Sequence, residues 1–179
     1  MHRDAVDAII AQWQVVLPDI DVSPLKVFGR LHRTFLLYRT EISSLFAELG
    51  TSEPGFDVLA ALRRAEPSYT LTAGELAEQT LVTTGGLTLR VKKLEEEGLV
   101  VRHRDANDQR VIHVQLTASG MELIDRAARS HYENLGRLKA DLSAEEAEQL
   151  SHLLARLFES ISTAGSGRDP RAPESHTNT

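Results

Sequence analysis

The sequence predicts a mainly α-helical protein with one small β-hairpin, and three patterns lead to that reading. Apolar residues recur at alternating steps of three and four along two long stretches, Phe28 to Leu49 and Met121 to Leu142. Helix-capping pairs open several further segments. Period-two alternation of the strand type occurs only around residues 99–116.

In chain order, Asp4 to Leu17 reads as a helix with Val6, Ile9, Ile10, Trp13 and Val16 or Leu17 on one face, ended by Pro18. Ser23-Pro24 offers an N-cap and a proline for the first helical position. Phe28, Leu31, Phe35, Tyr38, Ile42, Leu45 and Leu49 then form a seam that Gly50 closes. Such a seam marks a long helix packed on another helix along its whole length. Ser52 to Ala65 is a further helix, with Pro54 in its first turn and Phe56, Leu59 and Leu62 inward. Thr72-Ala73-Gly74-Glu75 is a capping box opening a short helix with Leu76 and Ala77. A helix from about Thr83 to Glu97 turns Leu87, Val91 and Leu94 inward, and Gly98 stands where a C-terminal cap belongs.

Leu99–Arg104 and Arg110–Leu116 flank the turn formers Asp105-Ala106-Asn107-Asp108-Gln109, which predicts a two-stranded hairpin with a polar tip. An isolated hairpin is marginal in water, so this one is expected to pack on the helices. Thr117 caps a helix carrying Met121, Ile124, Ala128, His131, Leu135, Leu138 and Leu142. A second capping box, Ser143-Ala144-Glu145-Glu146, opens a last helix with Leu150, Leu153, Leu154, Leu157, Phe158 and Ile161.

At 179 residues, 41% hydrophobic and 26% charged, the chain has the composition of an ordinary globular domain with its own core. The absence of cysteine excludes disulfides, thiol catalysis and cysteine zinc sites. No glycine-rich phosphate loop, activated serine or histidine–carboxylate metal spacing is present, so neither an enzyme nor a cofactor or metal site is expected. His32 is read as a pH-sensitive pair near a dimer axis and His131 as a core histidine on an apolar seam. No apolar run nears the length of a membrane span, and Met1-His2-Arg3-Asp4 lacks a signal pattern, so a cytoplasmic location is expected.

A net charge of −6 argues against nucleic-acid binding until its distribution is considered. Residues 83–115 carry Arg90, Lys92, Lys93, Arg102, Arg104 and Arg110 against five acids, a charge of +1 on an otherwise acidic chain. Two short helices followed by a hairpin form a winged helix-turn-helix pattern. The second helix of such a unit enters a major groove about 12 Å wide, and the hairpin reaches the neighbouring minor groove. Thr83, Thr84, Gly85, Gly86 and Thr88 crowd that helix's first turns with small residues, allowing close approach to the duplex. Its N-terminus offers N–H groups to phosphate. Lys92 and Lys93 lie further along, away from the inward stripe. Each feature alone also reads as a cap, a solvated helix face or edge-strand charge; their order and spacing favour DNA.

The stretch from Thr83-Thr84-Gly85-Gly86 through Lys92-Lys93-Leu94 to Gly98-Leu99-Val100 closely resembles the recognition-helix segment of MarR-family regulators. Asp108-Gln109-Arg110 matches that family's wing motif, and Leu116-Thr117 leads into a helix with Gly120, as is usual there. The resemblance covers nearly all of residues 23–163. It implies a homodimer on a double-stranded DNA operator, with Arg104 and Arg110 on the wing, Arg110 in the minor groove and Asp108 orienting it. With it the chain reads as four regions: an extra N-terminal helix (1–22), a helical dimerisation region (23–50 and 117–163), a DNA-binding region (51–116) and a tail (164–179) whose Gly, Ser, Pro, Asn and charged residues predict disorder. The extra helix and the segment Gly55 to Arg64 are similar to the urate-responsive branch, which places Trp13, Asp57 and Arg90 in a pocket for a small anionic aromatic effector. Trp13 as a core aromatic and Asp57–Arg90 as a structural ion pair stay open as the plainer reading. So does a regulator, or an architectural protein, that answers to no effector.

Overall fold

The computed structural model describes residues 3–80, 84–106 and 108–166. Within them the chain forms α1 (Ala5–Val16), α2 (Leu25–Glu48), α3 (Glu53–Arg64), β1 (Thr70–Thr72), α4 (Ala73–Gln79), α5 (Thr84–Glu96), β2 (Val100–Arg104), β3 (Ile112–Leu116), α6 (Ala118–Leu138) and α7 (Ala144–Ser166). The mainly helical class with a β wing therefore stands. Two compact units divide the chain, residues 1–131 and residues 132–179.

In the first unit Asp4 caps α1, its carboxylate accepting the N–H groups of Val6 and Asp7 at 2.8 and 3.1 Å while Asp7 accepts that of Asp4. Val6 and Ile10 are buried, and Arg30 of α2 grips Asp4 and Asp7, at 2.9 Å each. The expected cap at Ser23 is not formed. Its N–H and hydroxyl donate to the Asp21 carboxylate at 2.9 and 3.0 Å, and the helix begins after Pro24 without a side-chain cap among the described residues. Along α2 only Ile42 and Phe46 are buried; Phe28, Leu31, Phe35, Leu36 and Leu37 lie exposed on the protomer.

Ser52 caps α3, its hydroxyl accepting the Gly55 N–H at 3.2 Å. Val58, Leu59 and Leu62 of α3 join Leu76 of α4, Leu87, Val91 and Leu94 of α5, Val100 of β2, Val114 and Leu116 of β3 and Ile124 of α6 in one buried cluster. Full burial of aliphatic side chains stabilises by about 1.5–3 kcal/mol each, so this cluster fixes how α5 and the hairpin sit.

The predicted hairpin forms as β2 and β3, and a third strand joins it. β3 is the middle strand of an antiparallel sheet ordered β1-β3-β2, with Leu71 opposite Val114 on one side and Arg102 opposite Val114 on the other. The sequence reading missed β1 because three residues give no periodic signal. Thr72 ends β1 and caps α4, with Glu75 completing the box at 2.7 Å to the Thr72 N–H. Gly98 holds a left-handed φ of 71° between α5 and β2, where a side chain would be strained.

In the second unit α6 finishes at Leu138, and Ser143 and Glu146 form the predicted box at the start of α7. Leu150, Leu153, Leu154, Phe158 and Ile161 of α7 are exposed on the protomer. The helix runs on to Ser166, past the residue 164 at which the sequence reading begins a tail; residues 167–179 lie outside the described residues. No helix among the described residues is long and apolar enough to cross a membrane.

Candidate nucleic-acid interface

Helix α5 stands with one face in the core and the other in solvent. Leu87, Val91 and Leu94 are 4%, 5% and 2% exposed, so at about 100° per residue the opposite face carries Thr88, Leu89, Lys92 and Lys93. Leu89, 71% exposed, lies at the centre of that face, directly away from the buried stripe. The sequence reading passed over it because a lone exposed leucine is unremarkable until its helix is placed. Lys92 and Lys93 reach Glu96 and Glu97 at 3.7 Å. Exposed pairs of that spacing contribute only about 0.3–0.5 kcal/mol, so both ammonium groups are readily drawn to phosphate. Thr83 lies outside the described residues. Thr84 and Gly85 open α5, and Gly86 sits under the Arg90 guanidinium.

The wing is tied to α5 by Arg102, whose Nε donates to Glu95 at 2.8 Å and whose guanidinium holds the Glu95 carboxyl below its ordinary value. At the tip, Asp105 accepts the Asp108 N–H at 3.0 Å, and Asp108 receives a two-pronged contact from Arg110, Nε and Nη2 both at 3.0 Å. This contact holds the Asp108 carboxyl below its ordinary value. The Arg110 side chain is nevertheless 90% exposed, so its direction is set by the neighbouring carboxylate while its outer edge faces solvent. Arg104 closes β2, also exposed.

Behind α5 lies a cavity of about 270 Å³, with Tyr38, Ile42 and Phe46 from α2, Glu53, Pro54, Phe56 and Asp57 from α3, Arg90 from α5 and His131 from α6. Phe46, Phe56 and His131 form an aromatic wall, with ring centroids 4.6 to 5.2 Å apart. The structure thus brings Asp57 and Arg90 to one cavity; Arg90 Nη1 is buried without a hydrogen-bond partner among the described residues, and the same side chain borders a second hollow beside Gly55, Lys93 and Glu97. Trp13 does not line it. It is 46% exposed on α1, which docks on α2 near Gly29 and Arg30. Tyr38 comes more than two turns later, about 12 Å along the helix. His131 is not simply a core histidine, since it lines the cavity; the sequence reading missed Tyr38, Phe46, Glu53 and Phe56 as cavity residues too, placing Tyr38 on a helix seam and Phe56 inward and singling out neither Phe46 nor Glu53.

A helix with one exposed face of small, apolar and cationic residues, braced against a hairpin with an outward arginine, defines a winged helix-turn-helix DNA-binding protein. Residues 49–111 match the MarR family. The HTH-type transcriptional regulator PecS of Dickeya dadantii (strain 3937) is 34% identical over 152 residues, covering 85% of this chain and 92% of its own. The chain belongs to the MarR family and is a DNA-binding transcription regulator. The HTH-type transcriptional repressor YetL of Bacillus subtilis (strain 168) is 28% identical over 144 residues, 80% of this chain and 86% of its own. A cysteine-substituted mutant of MarR from E. coli, solved with operator DNA, superposes with a TM-score of 0.64 at 25% identity over 81% of this chain and 96% of its own.

Proposed function

We propose that the protein is a repressor that occupies a pseudo-palindromic operator as a homodimer and is released from it by a small anionic aromatic molecule, of the urate or phenolic kind. The observation that carries this reading is the position of Arg90. It stands on the DNA-reading helix, yet its side chain also lines a cavity that holds Asp57 and an aromatic wall, and its Nη1 is buried without a partner among the described residues. A ligand that engages the guanidinium acts directly on α5, so ligand and DNA binding are coupled, and the coupling is reciprocal.

On the DNA, Thr83, Thr84, Gly85, Gly86, Thr88, Lys92 and Lys93 serve the major groove and phosphates, and Arg104, Asp108 and Arg110 the wing contact. Exposed apolar faces on α2 and on α7 support self-association, since a soluble monomer rarely leaves such contiguous surface open. The two heads of a dimer then read half-sites about one helical turn apart. The regulator PecS and the repressor YetL, both aligned over most of this chain, support the regulatory role.

Fluorescence anisotropy on the DNA upstream of the protein's own gene, against a scrambled duplex, tests the reading. Urate and a panel of aromatic acids are then titrated into the complex. Specific binding relieved by one of them, and a relief lost on Arg90→Ala, is the expected result. Specific binding that no compound relieves leaves an effector-independent regulator, and no preference for any genomic fragment removes the repressor reading altogether.

A further inference from the structure

The cavity behind α5 is not a simple anion site. Glu53 and Asp57 stand four residues apart on α3, which puts both carboxylates on one face of that helix, and that face lines the cavity. Among the described residues Arg90 is the single guanidinium there, so the formal charge of the lining is −1. His131 does not offset it at neutral pH. Burial among the rings holds its imidazolium below the ordinary value, against the pull of Glu53. Across the mouth, burial and the Glu53 carboxylate together raise the Tyr38 hydroxyl above its ordinary value. Glu53, itself exposed, shares the cavity lining with Tyr38 and His131 and so stands at its solvent edge.

Like charges at this helical spacing disfavour each other, and an apolar occupant offers the exposed Glu53 carboxylate no hydrogen bond. An occupant that donates hydrogen bonds eases the repulsion and engages that carboxylate. We infer that Glu53 is a specificity-determining residue of this cavity, selecting planar one- or two-ring molecules that present N–H or O–H donors on the edge opposite their acidic group. The acidic edge meets the Arg90 guanidinium, the ring lies against Phe46 and Phe56, and the donor edge meets Glu53. At about 270 Å³ the space falls just short of the roughly 300–1,000 Å³ usual for drug-sized ligands, which fits one or two rings. A bare aromatic carboxylate satisfies Arg90 and leaves Glu53 facing carbon. The inference rests on the cavity being the effector site and adds which chemistry it admits.

Isothermal titration calorimetry on the full-length protein tests it with three planar monocyclic probes: benzoate, 3,5-dihydroxybenzoate and orotate. The first two differ only in two O–H donors; orotate carries ring N–H donors and is the most polar. The two donor-bearing probes are expected to bind about 10-fold tighter than benzoate, the scale of one hydrogen bond to a charged acceptor. Glu53→Gln keeps the size of the side chain and removes its charge, and is expected to close most of that gap, chiefly by improving benzoate. Arg90→Ala is expected to abolish binding of all three. Benzoate binding as tightly as the donor probes, or a gap that Glu53→Gln leaves unchanged, overturns the role of Glu53 while Arg90-dependent binding still upholds the effector site. Failure of every probe to show Arg90-dependent binding overturns both.

Discussion

The carbonyl oxygen of Leu99 lies 2.0 Å from where a Cβ on Gly120 would stand. The approach is drawn tight by Thr117, whose N–H donates to Leu99 O at 3.1 Å and whose hydroxyl donates to Gly98 O at 2.8 Å and accepts the Gly120 N–H at 3.0 Å. The first turn of α6 is thus laced to the junction between α5 and β2, and no side chain fits between them.

Gly120→Ala is expected to force those backbones apart, at about 3 kcal/mol or more, the upper range for overpacking. For a chain of this size that is a fall in Tm of roughly 6–12 °C, read by thermal denaturation. A Tm within a degree of wild type would show that α6 shifts freely and that the lacing is slack.

At the wing tip, Arg110→Ala is expected to weaken binding to the operator by roughly 10- to 100-fold and to lower the salt slope by about one unit. Asp108→Ala leaves the charge in place and removes its orientation, so its loss is smaller and the slope stays. Equal losses from both variants in salt titrations would mean that Asp108 does more than aim the arginine.

Leu89→Ala separates base contact from charge. Removing three exposed carbons from the centre of the reading face is expected to reduce operator affinity about 5- to 10-fold, as burial of an aliphatic group against a thymine methyl implies. Affinity for a scrambled duplex and the salt slope stay as they were. Loss on both duplexes alike would refute a role in base recognition.

The mild-acid behaviour follows from His131. Burial depresses its folded pKa below the unfolded value, near 6.5, so the unfolded chain binds the proton more readily. The stability this neutral histidine contributes is therefore complete above about pH 6.5 and is lost as pH falls below it. Between pH 7.5 and 5.5 the Tm of the wild type is expected to drop, and that of His131→Gln to drop less. The wing carboxylates do not interfere, because Glu95 and Asp108 are shifted downward, to below this window. Parallel curves for the two proteins would assign the acid loss elsewhere.

Much of this architecture was legible in the amino-acid order. Capping boxes at Thr72–Glu75 and Ser143–Glu146 and the inward stripe Leu87, Val91, Leu94 depend only on local geometry, and each appears where the sequence puts it. Strand β1 was not legible, since three residues acquire their strand character only from pairing with β3. The cavity was half legible. Asp57 and Arg90 came from a family resemblance, whereas Phe46, Phe56 and His131 look like ordinary core until α2, α3 and α6 are set side by side. Trp13 lies outside that lining for a related reason: nothing in a helical periodicity says how far along α2 the first helix docks.

One more property follows from the three-stranded sheet. A wing made of a lone hairpin swings on its own base, but here the middle strand is gripped on both edges, and one of those edges passes straight into the cap of α4. Wing and helix are therefore joined without a free hinge between them. A force applied at the wing is carried from β3 through its pairing with β1 to the start of α4, where Thr72 belongs to both.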